Sequence, residues 1–233
     1  MRIEPEIAGI AVVMLGNFNP SIFTPAWFGL HGLISERMVD TADTKIVHPQ
    51  ISEFNVEWLN MQVVPERFQI STLQAPYVRV QDLAVRIFRE HLPHTPLKTM
   101  GINREVHFLV ESFEDRDRLG RLLAPTGPWG EWGKKLEPDG SHGGVTSITM
   151  RQVNPEGRPL GGQVNVTVEP SNRIGQDRFG VYVGINDHYT IENVESQDHM
   201  ATNGIITLLE ESFDESLQRA DKIIDHIMSL TRR

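Results

Sequence analysis

Gln62-Val63-Val64-Pro65-Glu66-Arg67-Phe68-Gln69-Ile70-Ser71-Thr72, a helical segment opening at Tyr77, and then Met100-Gly101-Ile102-Asn103-Arg104-Glu105-Val106-His107-Phe108 form the stretch that decides the fold. Val63, Phe68, Ile70 and Thr72 alternate as paired strands do, and Pro65-Glu66-Arg67 falls where a turn belongs, so a hairpin is the economical reading. Beyond Tyr77, Val80, Leu83, Ala84, Ile87, Phe88 and Leu92 share one helical face, while Arg79, Asp82, Arg86, Arg89 and Glu90 lie mostly opposite. Pro93 and Pro96 stop that helix by removing donors and restricting the residue before each. A strand is expected to start close to Met100.

Outward from this stretch, residues 10–15 form a continuous apolar run ending at Gly16-Asn17, as in a central strand buried on both faces. Thr24-Pro25 reads as an N-cap followed by proline at the first helical position, with Trp27, Leu30, Ile34 and Met38 at helical spacing behind it. Gly29 and Gly32 are read as packing positions in that helix. Phe54, Val56 and Trp58 alternate with polar neighbours, and the register slip to Leu59, Met61 and Val63 calls for a bulge or sharp turn. Ser112-Phe113-Glu114-Asp115 has the form of a capping box.

Residues 126–144 are rich in Gly, Pro and Trp and read as a domain boundary or lid, because long loops in compact domains usually carry function. Strands are expected over 145–153, 163–169 and 178–185, with Asn154-Pro155-Glu156-Gly157 turning the first two into a hairpin. From residue 202 onward Ile206, Leu209, Phe213, Leu217, Ala220, Ile224, Ile227 and Leu230 line one face of a long helix. That face covers the sheet or pairs with a second copy. The expected class is α+β: two antiparallel or mixed sheet units packed with helices, the first half ferredoxin-like, with a long C-terminal helix. The units are 1–125, a loop or lid at 126–144, and 145–233, sharing one core. Gly101-Ile102-Asn103 and Gly184-Ile185-Asn186 echo one another and hint at a duplicated unit.

The run Gln62-Val63-Val64-Pro65-Glu66-Arg67-Phe68, the helix opening at Pro76-Tyr77, and Gly101-Ile102-Asn103-Arg104 resemble an uncharacterised, sporadically distributed bacterial family. Its corresponding strand reads arginine-tyrosine-isoleucine-asparagine, and its C-terminal helix carries a phenylalanine-glutamate pair. Here Met100-Gly101-Ile102-Asn103 and Ser212-Phe213-Asp214 stand in those places. The resemblance implies no known activity.

Composition narrows the chemistry. A net charge of -9 over 233 residues argues against a nucleic-acid backbone partner, whose affinity comes from Lys and Arg neutralising phosphates. Zero cysteine excludes disulfides, thiolate catalysis and Cys-ligated metals, and fits a reducing cytoplasm. No apolar run reaches the length of a membrane span, and the acidic leading residues are unlike a signal peptide.

Asp187-His188 and Asp198-His199, with His142 as a third group, offer imidazole and carboxylate for Zn or Mn, or a base oriented by an acid. Their spacing fits no metal motif, and loop histidines are commonly just solvated. Trp129 and Trp132 read as an aromatic clamp or as rings pinning a loop. Gly140-Ser141-His142-Gly143-Gly144 reads as an anion nest or a turn. Arg104, Asn103, Glu105 and His107 either face a cleft or form a wet strand face, and Glu210, Glu211, Asp214 and Glu215 read as a metal or basic-partner site or, more simply, as a solvated helix face. No cofactor is specified. The functional expectation is a non-enzymatic cytoplasmic binding or accessory subunit, immunity- or antitoxin-like, that engages a protein partner or itself. The alternative is a metal-dependent hydrolase or nucleotide-binding enzyme built on Asp187, His188 and His199.

Overall fold

The computed structural model describes residues 3–136, 144–159, 161–175, 179–191 and 199–231. Its frame is a nine-stranded sheet of strands β1 (Ile7–Gly16), β2 (Asp43–His48), β3 (Ile51–Val56), β4 (Leu59–Val64), β5 (Arg67–Thr72), β6 (Leu97–Leu109), β7 (Ile148–Val153), β8 (Gln163–Pro170) and β9 (Gly180–Thr190). Every neighbouring pair is antiparallel, and the order across the sheet is β2-β3-β4-β5-β1-β6-β9-β8-β7.

The α+β class holds, but the strands join one sheet where two units with a ferredoxin-like first half were expected. The reason is β1, which pairs with β5 on one side and β6 on the other. The first half is then a meander laid outward from β1, not strands interleaved around a helix pair. Its second half does likewise from β6. The chain therefore repeats one plan, a long central strand followed by a helix and an outer meander that works back toward the centre. The Gly-Ile-Asn echo does not mark that repeat. Its two copies lie on β6, the first strand of the second unit, and β9, its last, where Asn103 and Asn186 pair directly.

Helices α1 (Pro25–Leu30), α2 (Glu36–Asp40), α3 (Val78–Arg86), α4 (Phe113–Leu123), α5 (Gly130–Lys134) and α6 (His199–Ser229) complete the fold, with α3 continuing into a π-helical turn, Ile87–His91. Thr24 caps α1, its Oγ1 accepting from the Trp27 amide at 3.2 Å. The single helix expected behind it is broken. Gly32 adopts φ +61°, a conformation that costs glycine nothing, and the chain restarts at α2 under a Ser35 cap. Gly29 is a packing position, since a Cβ there would collide with a Val39 methyl. The slip after Val56 is a two-residue turn at Glu57-Trp58. Pro65-Glu66 turns β4 into β5, as the opening stretch requires.

Among the described residues, the helices seal one face of the sheet. Ile10, Val12 and Met14 of β1, Phe68 and Ile70 of β5, and Met100 and Ile102 of β6 pack with Val80, Leu83 and Ala84 of α3 and with Ile205, Ile206, Leu209 and Phe213 of α6. A second cluster joins Val106 and Phe108 of β6, Val181, Val183 and Ile185 of β9, and Leu119 of α4 to Ala220, Ile224, Ile227 and Met228 of α6. Burial at this level contributes about 1.5–3 kcal/mol for each large side chain. Leu209 and Phe213 are fully buried, so the apolar face of α6 is spent on the protein's own sheet. No described helix is long and apolar enough to cross a membrane.

Candidate functional site on the open face of the sheet

Because side chains alternate along a strand, each strand that sends apolar residues to the helices sends its other residues to the opposite face. That face is polar. One line of directly paired positions crosses the whole sheet: Asp43, Asn55, Asn60, Ser71, Ala11, Asn103, Asn186, Asn165 and Arg151. Neighbouring strands lie about 4.8 Å apart, so the line is roughly 40 Å long.

Half of it is wired together. Arg151 Nε donates to Asn165 Oδ1 at 2.8 Å, Asn165 Nδ2 to Asn186 Oδ1 at 3.4 Å, and Asn186 Nδ2 to Asn103 Oδ1 at 2.5 Å. Each amide gives a proton in one direction, from the charged guanidinium inward. Asn103 stands at the inner end, paired across the strands with Ala11. In the next line Arg67 donates to Gln62 Oε1, and Gln62 Nε2 donates to Glu53 at 2.7 Å.

Between these groups the floor is low. Gly9, Ala11 and Ser71 lie in a hollow of about 480 Å³ whose walls include Glu53, Asn60, Gln69 and Glu105. A second hollow of about 320 Å³ adjoins it, lined by Asn103, Glu105, Asn165, Glu169, Tyr182 and Gly184. Tyr182 lies over Gly184, where any Cβ would strike its ring. Burial together with Glu105 and Glu169 pushes the Tyr182 phenol up to about 12, so it stays a donor. His107 packs its ring 4.9 Å from that of Tyr182 and shares a 2.8 Å hydrogen bond with Ser171. Ser171 also caps the turn that presents Arg173, accepting from the Arg173 and Ile174 amides. Burial first, and Arg173 second, hold the His107 imidazole below its usual value.

The residues expected from sequence to carry chemistry are dispersed. Arg104 points to the helix face, only 7% exposed, where it donates to the Gly9 carbonyl at 2.9 Å, pairs with Asp221 at 3.3 Å and lies over the Tyr77 ring. Asp187 and His188 are consecutive on β9 and so leave it on opposite faces. Asp187 is enclosed by Arg158, Arg219, Ser216 and Tyr189 beneath α6, while His188 stands on the open face opposite Gly101 and Gln163. His142, Asp198 and the side chain of His199 lie outside the described residues.

Trp129 and Trp132 are 61% and 55% exposed with ring centroids 5.6 Å apart, so they pack on each other and leave no slot between them. Glu210 and Glu215 are paired with Arg89 and Arg219. Asn103, Glu105 and His107 do share the open face. Among the described residues no three His, Asp or Glu side chains gather as a metal site.

Sequence reasoning overlooked Asn55, Asn60, Gln62, Asn165, Glu169 and Tyr182. Their signal was present as polar amides at every second position of successive strands, but only the register puts them in line. No protein-family model and no curated protein matches this chain.

Proposed function

We propose that this protein is a non-catalytic binding subunit, an accessory or immunity-like component working in the cytoplasm, and that it holds a protein partner on the open face of its sheet. The observation that supports this reading is the contrast between the two faces: one sealed by helices over a dry core, the other a polar trough with an ordered row of amides. Preoriented amides over a low floor recognise and orient a ligand. General acid-base chemistry would ask for a titratable group poised near neutrality and aimed at a reacting atom. The binding reading is also favoured over the metal-dependent hydrolase because Asp187 and His188 diverge across the sheet, and Asp187 is already taken by two guanidinium groups.

The test is a capture experiment from the native host, with light scattering on the eluate. Asn60→Arg combined with Ser71→Arg fills the trough without touching the core. The reading expects one stoichiometric protein on the wild type that is missing from this variant, while the circular dichroism spectrum is unchanged. Equal recovery on both proteins, or a partner lost only when Trp129 and Trp132 are replaced, would move the binding surface elsewhere.

A further inference from the structure

We infer that the occupant of the open face is an extended polypeptide segment carrying Lys or Arg side chains; this rests on the binding reading above and names the chemistry of its partner. The first argument is the match of functional groups. A primary carboxamide offers N–H donors and a carbonyl acceptor, the same pair that a peptide unit presents. Asn55, Asn60, Asn103, Asn186 and Asn165 stand in one line, and the relay from Arg151 fixes the amide orientation of the last three. Such a row can hold a main chain whatever its side chains are.

The second argument is shape. Ala11 and Ser71 form the low floor of the first hollow, so a backbone can descend there between Asn60 and Glu105.

The third argument is charge complementarity. Glu53, Glu105 and Glu169 line the two hollows, and Arg173 is the one cation that reaches in among the described lining residues apart from Arg104, which turns to the other face. Neither Glu105 nor Glu169 has an ion-pair partner within 4 Å among the described residues, and both line the hollows. The whole chain adds a net charge of -9, which steers cations toward it. The same carboxylates repel phosphate backbones. A neutral glycan is a poorer fit, because the described lining residues supply a single aromatic ring, Tyr182, already packed against His107.

The test uses fluorescein-labelled probes of about ten residues, long enough when extended to cross most of the sheet. One alternates Lys with Thr, a second Ser with Thr, a third Glu with Thr. Anisotropy is read against the wild-type protein and two variants with equal charge change. The site variant is Glu53→Gln, Glu105→Gln and Glu169→Gln. The control is Asp82→Asn, Glu211→Gln and Asp214→Asn on the outer helix surface. The Lys probe is expected to bind wild type and control alike and the site variant about tenfold more weakly, and Glu105→Gln alone should give part of that loss should the triple variant fail to fold.

Equal loss in site and control variants would reduce the effect to general charge attraction and overturn the proposal. Binding of the Ser probe in place of the Lys probe, still abolished by Asn60→Arg with Ser71→Arg, would overturn the basic partner while leaving the open face as the binding surface. Absence of binding by every probe, with native-partner capture also indifferent to Asn60→Arg and Ser71→Arg, would overturn both.

Discussion

At the scale of single residues, Asp187 shows how a carboxylate survives burial. It is 1% exposed, yet Arg158 and Arg219 supply charge, and Ser216 and Tyr189 supply hydroxyl donors at 2.7 and 3.3 Å. Arg158 in turn lies over the Tyr189 ring at 4.7 Å, and burial with Asp187 pushes that phenol up to about 12. The network ties β9 and α6 to the turn that follows β7. Asp187→Asn keeps the shape but leaves a guanidinium buried without its counter-ion, and urea titration should show a loss of about 3–5 kcal/mol. His188→Ala, on the other face of the same strand, should cost less than a third of that, which the same titration reads. His107 and His188 make stability pH-dependent. Burial lowers both from 6.5, so the unfolded chain takes up protons that the folded one refuses. Stability is therefore complete above about 6.5 and declines as pH falls below it toward the folded-state values. Urea midpoints between pH 7.5 and 5 should show this slope, and His107→Gln with His188→Gln should flatten it.

At the scale of elements, the sequence was most legible where local chemistry and packing agree. The β4-β5 hairpin, the apolar stripe of α3 and the Thr24 and Ser112 caps all follow from spacing and turn residues, with Ser112 Oγ accepting from the Asp115 amide at 3.1 Å. Legibility ended where tertiary context overrides pattern. By alternation strand β9 reads as ending at Ile185, because the next inward position is Asp187, a residue tolerated there only through partners from α6 and the β7-β8 turn. That extension moved Asp187-His188 from a loop into a strand and set the two apart. The amide row was hidden for a related reason: each strand shows its polar positions, but their alignment depends on eight separate registers. Helix 25–38 fails at Gly32 because one residue at φ +61° redirects the chain. Gly32→Ala has open space around it, so its cost should be backbone strain alone, about 1 kcal/mol. Gly29→Ala should cost more, since Val39 must move. Thermal midpoints of the two variants separate conformational strain from packing.

At the scale of the whole molecule, two apolar clusters share two long elements. The first half of α6 contributes Ile205, Ile206, Leu209 and Phe213 to one cluster, and the second half contributes Ala220, Ile224, Ile227 and Met228 to the other. Strand β6 is divided in the same way, with Leu97, Met100 and Ile102 in the first and Val106 and Phe108 in the second. Neither cluster can open without stripping one half of a 31-residue helix and one half of a 13-residue strand. Partial helices of that length have little stability of their own in water. The two clusters should therefore unfold together. Leu209→Ala and Ile224→Ala, one in each cluster, should each cost about 2–5 kcal/mol. Trp27 and Trp58 pack against the first cluster, so tryptophan fluorescence reports mainly there, while far-ultraviolet circular dichroism reports all helices and strands. For a shared core, both probes shift by the same amount in both variants. Ile224→Ala that moves the dichroism transition but leaves the fluorescence transition in place would instead establish the first cluster as a unit able to stand without the second. The polar open face crosses both halves, with Glu53 and Asn60 on one side of β1 and Asn186 and Glu169 on the other. A joint transition then means that a ligand spanning β1 should stabilise the entire chain, and the Lys probe should raise both midpoints together.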